Sequence, residues 1–385
     1  MITPRTTVVR RLLAALDASP SRIPVLLGGC GSGRTTLLRL LHERLGRTSA
    51  QIVDVGRTAT TPERFHDAIG VASPFPGRET PASGARAAFD ATLQFLTTAH
   101  APNGGPATFL LDEFLELRTF ESFPGLRRVL HDFIDRLAAS GNRFVLTSRY
   151  TARTLRLLRD RPSRFEVIYV PQLSVEDTFD LLGPLAAANG PDTHDTDYLA
   201  RTVLALADGR TSYTRALIDE LEAMREHGGG DAISALASQL APGSRLASLC
   251  EYSYELRLHR ARGYGALKAI LEILADTEGL TLTEISQRLQ RTPGSTKDYL
   301  SWLEDVDLVT SRQKRYSFSD PLLRVWVRLH CRCTAPGEDD IAREVHRYAM
   351  PRLPQGEPVP ALALAAAGAA PADDEKKAWG IIEID

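Results

Sequence analysis

Short apolar runs punctuate the first half of the chain, and between them leucines and alanines recur at helical spacing. Ile23–Leu27, Gln51–Val55, Phe109–Leu111, Phe144–Leu146 and Val167–Val170 are each largely hydrophobic, as strands buried on both faces of a parallel sheet must be. The segments between them predict helices. One is RTTLLRLLHERL after the first run; another opens at Thr61-Pro62-Glu63, with Thr61 as its N-cap, and runs toward Ile69. Others span 84–99 and 126–139, the last ending at Gly141, while 73–83 is rich in Pro and Gly and reads as a surface loop. Strands alternating with helices predict an α/β unit, a parallel sheet flanked by helices, over residues 1–172.

The pattern changes twice further on. Ser174 and Asp177 are spaced as a capping box, and residues 173–245 carry Ala and Leu at helical spacing, interrupted at Gly190-Pro191 and Gly228–Gly230. A small helical bundle suits that stretch. From Gly263, three amphipathic helices are followed by TSRQKRYSFSD, which alternates as a β-hairpin does; residues 246–335 therefore predict a winged-helix domain. Its third helix, near Ser295–Trp302, would enter a DNA groove, with Lys297, Arg312, Lys314 and Arg315 on phosphate and Arg288 and Arg291 extending the basic surface. Against this, Leu300, Trp302 and Leu303 read as core, and Glu304, Asp305 and Asp307 would repel DNA if they faced it. Residues 336–372 read as a helix and a Pro/Ala-rich linker. The tail, 373–385, sets Trp379, Ile381, Ile382 and Ile384 among acids, as either a docking peptide for a partner protein or a fraying end.

The strongest chemical signal follows the first apolar run. Gly28, Gly29, Cys30, Gly31, Ser32 and Gly33 turn sharply into a helix that begins at Arg34, Thr35 and Thr36. Strand, glycine-rich turn and helix N-terminus gather free backbone N–H groups around one point, an anion cradle with the helix dipole behind it. The spacing Gly28-x-x-x-x-Gly33-x-Thr35 is that of a phosphate-binding loop for ATP or ADP, with Thr35 as a Mg²⁺ ligand. Arg34 stands where that motif has Lys; a planar guanidinium is aimed differently, which predicts nucleotide binding on backbone contacts with weak or absent turnover. Asp112 and Glu113 end the third apolar run, where a carboxylate can hold Mg²⁺ and a neighbour can polarise a water. Thr147, Ser148 and Arg149 leave the fourth, placed to bond or sense the γ-phosphate, with Ser148 equally able to cap the next helix. Arg161 and Arg164, before the fifth run, could meet a neighbouring subunit's nucleotide in an oligomer.

Bulk composition narrows the field. With 385 residues and a formal net charge of −2, the chain is no polycation, so any nucleic-acid surface must be local. Four scattered cysteines suit a reducing cytoplasm, and no apolar run approaches the roughly 20 residues of a membrane helix.

The order of phosphate loop, FLLDEF, FVLTSR and helical lid resembles the AAA+/STAND group of P-loop ATPases. Within it, the chain is similar to prokaryotic ATPases that end in a winged helix, akin to origin-recognition ATPases and NACHT-type switches. FSDPLLRVWVRLH resembles the DPLLRFW helix that follows the winged helix there, so the likeness spans roughly residues 5–335. It implies an ATP–Mg²⁺-dependent conformational switch, with Arg149 as sensor and Arg161 or Arg164 as finger. LADGRTSYTRAL is similar to the family's Gly-x-Pro lid loop, with Gly209 matching, Thr211 in place of Pro, and Arg215 or Arg210 as the lid arginine. The other functions open to this sequence are a winged-helix DNA-binding protein with structural ATP, or a scaffold with an inactive site.

Overall fold

A computed structural model describes residues 6–76, 83–161, 164–183, 193–259, 263–332 and 334–354. The docking motif expected at 373–385 and part of the linker lie outside the described residues. Five strands, β1 (Ile23–Leu27), β2 (Ala50–Asp54), β3 (Thr108–Asp112), β4 (Arg143–Ser148) and β5 (Phe165–Tyr169), form one sheet in the order β2-β3-β4-β1-β5. Every pairing is parallel. Helices α1 (Thr6–Asp17) and α2 (Arg34–Leu45) pack on one face; α3 (Val55–Thr58), α4 (Pro62–Val71), α5 (Ala85–Thr98), α6 (Val129–Ala139) and α7 (Thr151–Leu158) follow in chain order.

The strand alternation explains the two layers. Leu26, Leu110, Val145 and Ile168 pack with Val9, Leu12, Leu38 and Leu41, whereas Val25, Phe109, Leu111, Phe144 and Leu146 join the opposite core with Leu93 and Phe133. Both sets are fully buried, which is why the strands read as continuous apolar runs rather than alternating ones. β4 runs two residues past its apolar stretch because Leu26 and Leu27 pair with Thr147 and Ser148. β2 begins one residue earlier and β5 two residues earlier than their hydrophobicity suggests. Between β3 and α6, Phe114–Ser122 forms a 3₁₀ helix that no helical period announces.

After the sheet, α8 (Val175–Leu181) opens on the expected capping box, with Ser174 and Asp177 bonding each other's backbone N–H at 3.0 Å. Helices Thr193–Leu206, Thr211–Glu226, Ala232–Leu240 and Arg245–Leu258 complete a helical group. Helix Tyr264–Asp276, strand β6 (Leu280–Thr281), helices Leu282–Leu289 and Pro293–Asp305, and the hairpin β7 (Val309–Arg312)–β8 (Arg315–Phe318) then form a compact unit. Its antiparallel sheet has the order β6-β8-β7. Leu267, Leu271, Ile285, Leu300, Leu303 and Phe318 supply its core; Trp302 is only half-buried. Gln313 and Lys314 both adopt positive φ (51° and 63°), the tight hairpin turn whose twist matches the strands.

The expected finger arginines are engaged within the chain. Arg164 donates to the carbonyls of Ser21 (3.0 Å), Ala138 (2.6 Å) and Ser140 (2.7 Å), tying the end of α6 to the residues before β1. Arg161 pairs with Asp135. Arg164 is therefore a structural arginine, since a group holding three internal carbonyls is not presented to a neighbour. Among the described residues no helix is long and apolar enough to cross a membrane.

Candidate functional site

The carboxyl ends of β1, β3 and β4 converge on a cavity of about 550 Å³. From the glycine-rich loop, Cys30, Gly31, Arg34 and Thr35 border it; Gly28, Gly29, Ser32, Gly33 and Thr36 belong to the same loop and helix start without bordering it. The loop's shape needs its glycines. Gly31 and Gly33 sit at φ +77° and +92°, and a Cβ on Gly31 would collide with Ser212 Oγ.

Two carboxylates divide the chemistry. Asp112 is buried and accepts from Thr35 Oγ1 (2.7 Å) and Thr147 Oγ1 (2.5 Å). Glu113, at φ 57°, turns its side chain back between two arginines. Arg34 Nη2 lies 2.6 Å from Glu113 Oε1, and Arg149 Nε lies 3.0 Å from Oε2, which also accepts from the Arg149 N–H. Burial alone would raise the Glu113 carboxyl, yet Arg34 and Arg149 outweigh it and hold it below the usual glutamate range. Burial likewise opposes the Arg149 charge, and Glu113 more than restores it. Arg34 Nη1 donates to Gly29 O at 2.8 Å.

A third group comes from far along the chain. Arg210 Nη1 donates to Cys30 O (3.1 Å), Thr211 Oγ1 to Ser32 O (3.3 Å), and the Ser212 N–H to Gly31 O (3.1 Å). Arg210 also pairs with Asp320 Oδ2 at 3.3 Å, an oxygen that accepts from Tyr213 OH at 2.8 Å. Arg257 Nη2 donates to Cys30 Sγ at 3.2 Å and Nη1 to Asp307 O at 3.0 Å. Burial pushes the Cys30 thiol up, but Arg257, then Arg149, Ser253 and Arg34, bring it below its ordinary value. Asp307 and Asp305 face α7 rather than open solvent: Asp307 Oδ2 accepts from the Thr151 N–H, and Asp305 takes Arg156 at 2.5 and 3.0 Å.

Several sequence candidates are relocated. Arg210, one turn and more before Arg215, reaches the loop, and Arg215 does not border the cavity. Ser148 is fully buried and accepts from the Tyr150 N–H in a local turn instead of facing the cavity; α7 takes Tyr150 as its N-cap with no side-chain cap bond, so Ser148 does not cap that helix either. Thr147 is the hydroxyl that reaches the acids. Asp54, Gly56 and Arg57 at the β2–α3 junction and Leu249, Tyr252 and Leu256 on helix Arg245–Leu258 also line the cavity. Nothing in their local sequence marks them.

The residues present fit a nucleotide and its ion. Thr35 and Asp112 provide the hard oxygen donors that Mg²⁺ takes. Ser32 Oγ, Ser212 Oγ and Arg34 Nε are buried beside the loop without a hydrogen-bond partner among the described residues, as polar atoms awaiting an anion are. Among those residues no cluster of three His, Cys, Asp or Glu is placed to hold a metal.

No protein-family model and no curated protein matches the chain. Among solved structures, the chain is similar to the Walker-type ATPase PABY2304 of Pyrococcus abyssi, at 15% identity over 85% of this chain and 96% of that one, with a TM-score of 0.61. It is also similar to the Aeropyrum pernix ORC1 protein solved in complex with DNA (17% identity, 91% and 94% covered, TM-score 0.47). Cdc6p of Pyrobaculum aerophilum follows (14%, 92% and 96%, TM-score 0.43). The first overlay shows the fold, that of a P-loop ATPase; the other two are too loose to add to it.

Proposed function

We propose that this chain is an ATP–Mg²⁺-dependent conformational switch of the AAA+/STAND kind, controlling a partner protein, DNA or self-assembly through a helical lid and a winged helix. One observation carries the reading. Arg210, Thr211 and Ser212 hold three successive carbonyls of the glycine-rich loop, and Arg210 and Tyr213 also hold Asp320 at the head of helix Pro321–His330. Any rearrangement of the loop around phosphate is thus mechanically linked to the C-terminal unit.

Within this reading the loop backbone and Arg34 would take phosphate, Thr35 and Asp112 the ion, and Leu249, Tyr252 and Leu256 an apolar wall for the base. Magnesium, when bound, neutralises charge on the phosphate oxygens. Glu113 is held by two guanidiniums, so it polarises a water only after one of them leaves. Arg34, drawn to phosphate, is the one that leaves, and Arg149 stays to sense it.

Calorimetry with millimolar MgATP and MgADP, paired with hydrogen exchange at 319–323, tests the switch. Uptake of nucleotide with faster exchange there is expected; no uptake by folded protein sinks it. Phosphate release by wild type and Glu113→Gln then decides turnover, and equal silence removes hydrolysis.

A second reading rests on a different observation. Arg288, Arg291, Lys297, Arg312, Lys314 and Arg315 are all exposed on the unit around the hairpin, the surface a winged helix lays on DNA. Neutralising Arg312, Lys314 and Arg315 should then weaken salt-dependent duplex binding; binding without salt dependence, unchanged by those substitutions, rejects it.

A further inference from the structure

Arg257, whose Nη2 reaches Cys30, also borders a second cavity of about 280 Å³. It lies where the 3₁₀ stretch and the start of α7 meet helices Arg245–Leu258 and Pro293–Asp305, at the seam between nucleotide unit and C-terminal unit. Seams of this kind are preferred ligand sites. The walls combine two aromatic rings, Tyr150 and Trp302, with three guanidiniums, Arg118, Arg153 and Arg257, and a single carboxylate, Glu116.

The three cations differ in how far they are neutralised. Arg118 reaches Glu121 at 3.3 Å. Arg153 has no carboxylate partner among the described residues; its guanidinium lies 5.6 Å from the Tyr150 ring centroid. Burial, then Arg118, holds Arg153 below its ordinary value, with Asp305 opposing them only in part. Arg257 is 3% exposed, and its Nε has no hydrogen-bond partner among the described residues. An orphaned buried donor is costly. The volume admits one ring with one acid group and is too small for a nucleoside triphosphate.

We propose that this cavity binds a small aryl anion, a single aromatic ring bearing a phosphate or a carboxylate. The ring lies against Tyr150 and Trp302 and the acid group meets Arg153 and Arg257. Because Arg257 also holds Cys30 and Asp307, such a ligand touches the residue that joins the phosphate loop to the C-terminal unit.

Calorimetry on the full chain uses phenyl phosphate and benzoate, with inorganic phosphate and phenol as the separated halves, each with and without MgADP. At least one aryl anion is expected to bind saturably, one per chain and tighter than either half, and the pair separates phosphate from carboxylate preference. Arg153→Gln should weaken that binding about tenfold or more, the size of one lost charge-assisted contact. Thr119→Phe, which fills the cavity without removing a charge, should abolish it, and a thermal melt shows whether that variant folds. Thr35→Val, at the phosphate loop, should leave it unchanged. No saturable uptake of either aryl anion, or uptake unaffected by Arg153→Gln, overturns the proposal. Loss with Thr35→Val alone places the probe in the phosphate loop and overturns it equally.

Discussion

Glu113→Gln removes the one carboxylate that separates Arg34 from Arg149. The amide keeps the size of the side chain and can still accept from the Arg149 N–H, so the change is almost purely one of charge. The Arg34 and Glu113 side chains are each 8% exposed and that of Arg149 is 11%, leaving little water to screen the two guanidiniums. Removing one partner of a buried ion pair costs about 3–5 kcal/mol, and the retained hydrogen bond puts this variant near 3. For a unit of roughly 150–250 residues, each kcal/mol lowers Tm by about 2–4 °C, so the expected loss is about 6–12 °C. The assay is a thermal melt followed by far-ultraviolet circular dichroism, without nucleotide. Glu113→Gln combined with Arg34→Met removes one of the stranded charges and should recover part of the loss. The pH dependence adds a check. The folded carboxyl lies below its ordinary 4.5, so its stabilisation is present above that value and is lost as pH falls through the folded one. Wild type and variant should therefore converge in acid. A single variant melting within about 1 °C of wild type, or a double variant whose losses simply add, would refute the account.

Asp307 tests the seam. Burial pushes its carboxyl up to about 6 from 3.8, despite the Thr151 and Ala152 N–H groups and Arg257. The folded chain then holds a proton that the unfolded chain has released, so stability falls as pH rises between those values, by at most about 3 kcal/mol. Asp307→Asn should flatten that slope in urea titrations; a slope unchanged from wild type would rule the cause out. Arg164→Ala strips three carbonyls of their donor and should cost about 2–4 kcal/mol in denaturant unfolding while leaving any nucleotide-dependent self-association, read by light scattering, as it is in wild type; a folded variant that loses an association wild type makes would restore it as a finger. Arg210→Ala leaves Asp320, 2% exposed, without its cation and should cost about 3 kcal/mol; a melt like wild type argues against the link. Iodoacetamide should alkylate Cys30 faster than an ordinary thiol at neutral pH, more slowly in Arg257→Met and in the presence of MgADP, as read by mass spectrometry. Equal rates in all three would remove the arginine's influence.

Much of this architecture is local and so was legible in the chain itself. The strands announced themselves because both faces are buried, the glycine-rich turn because only glycine accepts φ near +80° there, and the capping box because its partners sit three residues apart. Asp112 and Glu113 were findable because a parallel strand delivers its last residues to one edge of the sheet. What local pattern could not supply was competition among like groups. Arginine recurs throughout this chain, and each can reach several Å in any direction allowed by its helix. That Arg34 turns to Glu113, 79 positions away, that Arg210 rather than Arg215 holds the loop, that Arg164 is consumed by carbonyls, and that Ser148 is buried in a local turn follow from helix phase and from which partner each group meets on burial. The seam between the nucleotide unit and the C-terminal unit, with Arg257 at its centre, belongs wholly to the tertiary structure. A desolvated charge must find its partner wherever packing places one, and distance along the chain sets no bound on where that is.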